Sequence, residues 1–241
     1  MRLAVISDVH SNLEAFSAVL ASIQQRGVDA VISLGDNIGY GGDPEAVTML
    51  LRRNLIVSVM GNHELALLNE DYLAGFNSMA KAALVKNRAL LSHDSLEHLS
   101  CLKSAIGRFN GCFVHGIPPD SITTYLSHAT DSLLERRMAG LSRKISFVGH
   151  THLLGMVELG RRGIVRRKLK QGGEPLDPES RYIINAGSVG QPRDGDPRAT
   201  FVIWDADALT VEPVFIEYDR VAAAEKIRMA GIPEVFARRL L

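Results

Sequence analysis

Cysteine is scarce in this 241-residue chain: Cys101 and Cys112 are the only two, and neither sits in a Cys-x-x-Cys pair. That argues against a disulfide-stapled secreted scaffold and predicts two unremarkable buried thiols in a reducing cytoplasm. Long apolar runs are missing too, and no stretch approaches the roughly 20 residues that span a bilayer. At the start of the chain, Asp8 and His10 fall where a signal peptide needs an apolar run and a cleavage site. Nor is there an excess of one charge: 27 Lys and Arg balance 27 Asp and Glu. A uniformly basic coat for nucleic acid is therefore not expected, although a local basic patch is not excluded. No linker rich in Ser, Pro or Gly divides the sequence, and no segment repeats. The starting expectation is one domain over residues 1–241: a cytoplasmic enzyme with no membrane or nucleic-acid partner.

Hydrophobic residues make up 46% of the chain and charged residues 22%, the balance of an ordinary globular protein. In the first half, short β-like runs alternate with helical ones. Leu3–Ser7, Ala30–Leu34 and Leu55–Met60 read as strands. Between them, Asn12 can cap a helix running to about Arg26, and Pro44–Arg53 reads as a second helix. This βαβαβ order predicts a mostly parallel, buried sheet. Residues 64–104 carry Leu, Ala and Met at helical spacing without a strand signal, which predicts two or three helices forming an insertion or cap. Further strands are predicted at Ala105–Phe109, Cys112–His115, Ile145–Val148, Arg181–Asn185, Thr200–Trp204 and Leu209–Ile216. A helix is predicted near Thr130–Gly140 and a hairpin around Gly160–Gly163. Gln171–Ser180 reads as loop, and helices near Arg220–Met229 and Pro233–Leu240 close the chain.

Histidine carries the chemical signal. Five of the eight histidines fall in tight clusters with Asp, Asn and Gly: Asp8-Val-His10, Gly35-Asp36-Asn37, Gly61-Asn62-His63-Glu64, His115-Gly116 and Gly149-His150-Thr151-His152. Each cluster directly follows a predicted strand, and the carboxyl ends of strands are where open α/β sheets bind ligands. On extended backbone, Asp8 and His10 at i, i+2 would point to one side, and His150 and His152 repeat that spacing. The intervening glycines lack a Cβ and let backbone crowd around a site. Imidazole and carboxylate suit Mn, Fe, Zn or similar ions. Seven such ligands are too many for one ion but suit two ions about 3.5–4 Å apart that share a carboxylate.

These motifs resemble those of the calcineurin-like metallophosphoesterases, from Asp8 to about Arg193, in order, strand-end context and rough spacing. Within that family the chain looks like the small bacterial and archaeal predicted phosphodiesterases. Two of its loops match theirs, Gly35-Asp-Asn-Ile-Gly-Tyr-Gly41 and Asn185-Ala-Gly-Ser-Val-Gly-Gln-Pro-Arg193. The resemblance implies an α/β fold, a layered αββα-type sandwich of two mixed sheets flanked by helices. It also implies two divalent metal ions, with Mn or Fe foremost and Zn, Ni or mixed pairs compatible. Carried over residue by residue, Asp8, His10 and His152 would hold the first ion and Asn62, His115 and His150 the second. Asp36 would bridge them together with a water or hydroxide, and His63 would be the general acid. Neutral Asn62 would leave the site a surplus of positive charge that attracts a phosphate ester. An unperturbed imidazole titrates near ~6.5, so His63 would need little tuning to act as an acid at neutrality. Asp43 and Glu64 are the candidates to orient it.

The implied substrate is a small phosphorylated molecule, nucleotide-like: a phosphodiester or a nucleotide phosphoanhydride, with dinucleoside polyphosphates one example. A homo-oligomer is compatible with the sequence. Asn12 reads as a helix cap that can also touch phosphate. Arg193 suits bidentate phosphate binding, and Tyr40, between glycines, can stack on a base. The one basic run, Arg161 to Lys170, reads as a solvated hairpin face, and His93, His98 and His128 as surface residues. Two rivals stand beside the diesterase reading. Phosphoprotein phosphatases share Gly-Asn-His-Glu, but their Gly-Asp-x-Val-Asp-Arg-Gly has Gly39 and Tyr40 here in place of Asp and Arg. A non-catalytic scaffold of the same fold, as in a retromer subunit, would be expected to lack ligands or the acid.

Overall fold

The first strand, β1 (Arg2–Ile6), is apolar on both faces, which suits a strand buried on both sides. The computed structural model describes residues 1–241 and places this strand inside a six-stranded sheet. In chain order the other strands are β2 (Ala30–Ser33), β3 (Val57–Ser58), β4 (Ala105–Arg108), β5 (Gly111–Val114) and β6 (Ile145–Val148). They continue as β7 (Gly155–Gly160), β8 (Gly163–Arg167), β9 (Glu174–Pro175), β10 (Arg181–Asn185), β11 (Ala199–Asp205) and β12 (Thr210–Ile216). One sheet runs β3-β2-β1-β11-β12-β9 and the other β4-β5-β6-β10-β7-β8. Each contains a parallel trio: β1-β2-β3 is joined to antiparallel strands on its β1 side only, whereas β5-β6-β10 has them on both sides. The parallel expectation therefore holds for each trio, and the sheets as wholes are mixed.

Alternation along β1 builds the layers. Leu3 and Val5 face the second sheet and share a core with Phe113, Phe147, Ile184 and Trp204. Ala4 and Ile6 face the other way. They pack against Phe16 and Val19 of α1 (Leu13–Arg26) and Val47 and Leu51 of α2 (Pro44–Arg53). Val114, Val148 and Ile183 of the second sheet are covered by Leu134 and Met138 of α7 (Asp131–Gly140). The result is the expected helix–sheet–sheet–helix sandwich.

Several local expectations change. Residues 62–100 form four helices rather than two or three: α3 (Asn62–Leu68), α4 (Glu70–Ala74), α5 (Ser78–Leu90) and α6 (His93–Ser100). Side-chain caps cut the apolar pattern. Asn69 accepts from the Tyr72 amide, Asn77 from Ala80 and Ser92 from Ser95. The third strand is only two residues long, because Leu55 turns with φ +52° and Val59 pairs with Lys103 instead. The Gln171–Ser180 loop contributes β9, which pairs with β12. Neither thiol is fully buried: Cys101 is exposed and Cys112 half-buried. Two further helices, α8 (Arg220–Met229) and α9 (Glu234–Arg238), end the chain, and no helix is long and apolar enough to cross a membrane.

Candidate metal centre

The two parallel trios end at one edge of the sandwich, and every histidine cluster lies there. Asp8 and His10 follow β1, Asp36 follows β2, and Asn62 and His63 open α3 after β3. His115 follows β5, and His150 and His152 follow β6. The extended backbone expected for the i, i+2 pairs is not what aims them. Asp8, His10, Asp36, His150 and His152 all have φ between +47° and +67°. The ends of β1, β2 and β6 thus turn sharply through the left-handed region, at a conformational cost that clusters at functional sites. Two glycines admit this crowding. A Cβ on Gly61 would overlap Asp36 Oδ1, and one on Gly149 would overlap Ser7 Oγ.

Three groups of buried ligand atoms result: Asp8 with His10 and His152; Asp36 with His115 and His150; and His10 with Asp36 and His63. Asn62 Oδ1 joins the second, 3.0 Å from His115 Nε2. Asp36 lies between the sets, with Oδ2 3.2 Å from His115 Nε2 and 3.8 Å from His10 Nε2. All eight side chains are at least nine-tenths buried.

The donor set fits divalent cations. The rear ring nitrogens of His10, His115, His150 and His152 face the backbone carbonyls of Ile38, Leu34, Thr123 and Gln191 at 2.6–3.2 Å. A carbonyl can only accept, so each rear nitrogen carries a proton, and whenever the ring is neutral its front nitrogen presents a lone pair. Those front nitrogens meet in pairs, His10 with His152 and His115 with His150, each 3.1 Å apart. Two lone pairs at that distance repel unless a proton or a metal cation lies between them. Asp8 Oδ1, 3.3 Å from His152 Nε2, is buried without a hydrogen-bond partner.

Electrostatics agree for three of the four histidines; burial works to lower His115, but Asp36 and Asp8 outweigh it and raise it to about 9, so in the metal-free chain its front nitrogen carries a proton towards Asp36 that a bound cation would displace. Burial lowers His10 and His152 well below the usual imidazole range and His150 to about 3, so all three are neutral ligands near pH 7. Burial works to raise Asp36, but the neighbouring His115 and His63 outweigh it and hold the carboxyl well below its ordinary value. Asp8 is pushed up to about 7 by burial, with Asp36 adding to the effect. Its anion is costly in the metal-free chain, and a cation would relieve it.

His63 departs from expectation. Burial pulls it down to about 4, so it is not tuned close to neutrality in the substrate-free chain. Neither proposed orienting partner reaches it. Asp43 pairs with Lys226 at 3.0 Å, and Glu64 accepts from loop amides. The His63 ring is instead wedged among His10, Tyr40 and Phe76 at 4.5–5.3 Å between centroids. Its Nδ1 is buried and unpartnered, and its Nε2 lies 3.9 Å from Asp36 Oδ2.

A profile of the calcineurin-like phosphoesterase superfamily domain matches residues 1–209. The chain belongs to that superfamily. It is similar to the uncharacterized protein MJ0912 of Methanocaldococcus jannaschii, 34% identical over 99% of this chain and 96% of the other. Among solved structures it resembles a metallophosphoesterase from Sphaerobacter thermophilus, with a TM-score of 0.85 and 35% identity over 100% of this chain and 98% of that one. The hypothetical protein PH1004 of Pyrococcus horikoshii shares the fold, with a TM-score of 0.81 at 19% identity over 99% and 97% of the two chains. Membership implies a hydrolase, and the His/Asp clusters are its candidate metal ligands.

The remaining residues of this calcineurin-like site fall into place around the ligands. Asn12 caps α1, with Oδ1 accepting from the Ala15 amide at 3.1 Å and Nδ2 donating to Gly190 O at 2.9 Å, so its amide is engaged at both ends. Arg193 donates to Gln191 Oε1 and lies 5.8 Å from the Tyr40 ring centre. Tyr40 is packed between His10, His63 and Phe236, each 4.5 Å away.

Glu64 has a larger role than its sequence position suggested. It accepts from the amides of Gly61, Asp36 and Asn37 at 2.7–2.9 Å and so clamps two ligand loops together. Burial and Asp36 push its carboxyl up to about 7, against the pull of those amides. The signal for this lay in the sequence, because Glu64 occupies the third position of α3, where a carboxylate reaches back to the helix start. Tyr125, whose ring lies flat on His150 at 3.7 Å, left no such signal.

Proposed function

We propose that the chain hydrolyses phosphodiesters or nucleotide phosphoanhydrides, dinucleoside polyphosphates among them, at a centre of two divalent ions such as Mn or Fe. The observation that carries this reading is the pair of His–His contacts at 3.1 Å, with every rear nitrogen committed to a carbonyl and Asp36 between the two sets. Asp8, His10 and His152 would hold one ion, Asn62, His115 and His150 the other, and Asp36 both. When bound, such a pair supplies an activated water and a clamp for phosphoryl oxygens.

The chain's own residues provide the rest. His63 Nε2 is aimed at the centre, where it can pass a proton to the departing oxygen. A bound phosphate brings negative charge next to His63 and raises its proton affinity from the low value set by burial. Arg193 carries a charge with no acidic partner beside the site and is suited to a phosphoryl oxygen. Gly39 and Tyr40, standing where phosphoprotein phosphatases carry Asp and Arg, favour the diester and anhydride reading over the phosphoprotein one. Retention of all seven ligands and of His63 disfavours a pure scaffold.

The test is hydrolysis by metal-stripped protein reloaded with Mn²⁺, on a bis-nitrophenyl diester, a nitrophenyl monoester and a dinucleoside tetraphosphate in parallel. Cleavage that depends on metal and is lost in Asp36→Ala supports the proposal. Preference for the monoester over both other substrates would overturn the substrate assignment.

A further inference from the structure

Aromatic residues are only 6% of the chain, and tyrosine occurs five times. Three of those five, Tyr40, Tyr72 and Tyr125, line one 360 Å³ cavity together with Phe76. The volume falls within the roughly 300–1,000 Å³ of small-molecule sites. The inner wall of the cavity is Asn62 and His150, two of the proposed ligands, so it opens directly onto the metal centre. Its outer wall is the helical segment, where Tyr72 of α4 meets Phe76 edge-on at 5.6 Å. Across from it, Tyr125 covers His150 at 3.7 Å.

Charge separates this cavity from its neighbour. Neither Lys nor Arg lines it. A second cleft, which Thr151 and Leu153 also line, carries Arg193, Arg166, Arg167 and Lys168. There Arg166 is paired with Asp131 and Arg167 with Glu174, while Arg193 meets the uncharged Gln191 and Tyr40 and Lys168 is exposed. One end of the site thus suits additional phosphate, and the other suits a flat uncharged group. The rim of the aromatic end carries polar groups for the edge of such a ring. Asp71 offers a carboxylate, and Asn77 keeps its amide hydrogens free, because only its Oδ1 is used in capping α5.

We propose that the cavity walled by Tyr72, Phe76 and Tyr125 is a nucleobase subsite, which makes the substrate a nucleotide ester with its base under the helical segment. The inference rests on the phosphoesterase reading for its substrate class but has a separate test. The methylenephosphonate isosteres of adenosine 5′-monophosphate and of ribose 5-phosphate, in which CH₂ replaces the bridging ester oxygen, cannot be hydrolysed there and differ in the base. Their binding to the Mn²⁺-loaded chain is measured by calorimetry.

Stacking of a base on an aromatic ring corresponds to about 5- to 150-fold in affinity. The adenosine compound is expected to bind tighter by that order. The ratio of the two affinities should fall towards one in Tyr72→Ala and persist in Tyr72→Phe, whereas a merely structural role would weaken both ligands alike. A ratio near one in the wild type, or a ratio unchanged in Tyr72→Ala, overturns the subsite. The nitrophenyl esters separate the two claims. If none is hydrolysed while the base still strengthens binding, the phosphoesterase reading fails and the subsite stands. If the esters are hydrolysed and the base adds nothing, the subsite fails alone.

Discussion

Replacing Gly149 by Ala probes how tightly the two sheets are pressed together at the site. An added Cβ would overlap Ser7 Oγ, lie 3.0 Å from Ser7 Cβ and lie 2.7 Å from Asp8 Oδ2. The surroundings cannot yield easily. The Gly149 amide donates to His115 O at 2.9 Å, its carbonyl accepts from Asn185 Nδ2 at 2.8 Å, and the next amide, of His150, donates to Asp8 Oδ2 at 3.1 Å. Overpacking a site of this kind costs about 1–3 kcal/mol, a large share of a typical stability of about 5–15 kcal/mol. The strain falls on the Ser7–Asp8 segment, so Ser7→Gly should relieve it even though that change alone forfeits the 2.6 Å hydrogen bond from Ser7 Oγ to Asp8. Urea unfolding of chelator-treated wild type, both single variants and the double variant forms a complete cycle. The double variant is expected to recover at least about 1 kcal/mol relative to additivity, within the range known for residues in contact. Strict additivity, or a Gly149→Ala loss under about 0.5 kcal/mol, would refute the claim that the ends of β1 and β6 are in hard contact.

Three further outcomes are expected. At Mn²⁺ a hundredfold above the Kd of each site the wild type gains about 2.7 kcal/mol per ion, about 5.4 kcal/mol for two, or roughly 10–20 °C in Tm for a chain of this length; in Asp36→Asn a thermal-shift titration should show less than half of that. In metal-free protein, burial holds His63 at about 4, below the ~6.5 of the unfolded chain. Its contribution is therefore full above pH ~6.5 and is lost as the pH falls towards 4, so the stability of wild type relative to His63→Asn should drop by about 2–3 kcal/mol between pH 7.5 and 4.5 in urea unfolding. Trp204 is buried between the sheets against Phe147 at 5.1 Å and Phe113 at 6.4 Å, and Trp204→Ala should cost about 3–5 kcal/mol in the same assay.

Much of the fold was legible because its signals are local. Asn12 and Gly27 bracket α1, Pro44 starts α2, and buried runs such as Ile145–Val148 occupy their expected positions. The ligand set was legible because each cluster follows a strand, and strand ends define an edge whatever the detailed topology. What the sequence concealed depends on backbone geometry and on distant contacts. The i, i+2 spacing of Asp8 and His10 suggested extended backbone, but both residues turn through positive φ, and periodicity carries no sign of that. The low proton affinity of His63 comes from three rings contributed by distant segments, which no local motif encodes. The subdivision of residues 62–100 was readable in principle from Asn69, Asn77 and Ser92, but the repeated Leu and Ala masked those caps.

The central claim is that the paired histidine clusters hold two catalytic cations astride Asp36. Its most direct test is a Mn²⁺ titration of metal-stripped protein that follows bound metal and diester hydrolysis in the same samples. The account expects saturation near two ions per chain, hydrolysis that rises with occupancy and disappears on chelation, and neither full binding nor turnover in Asp36→Ala. Saturation at two ions with no hydrolysis of any ester, or hydrolysis that persists after the metal is removed, would contradict it.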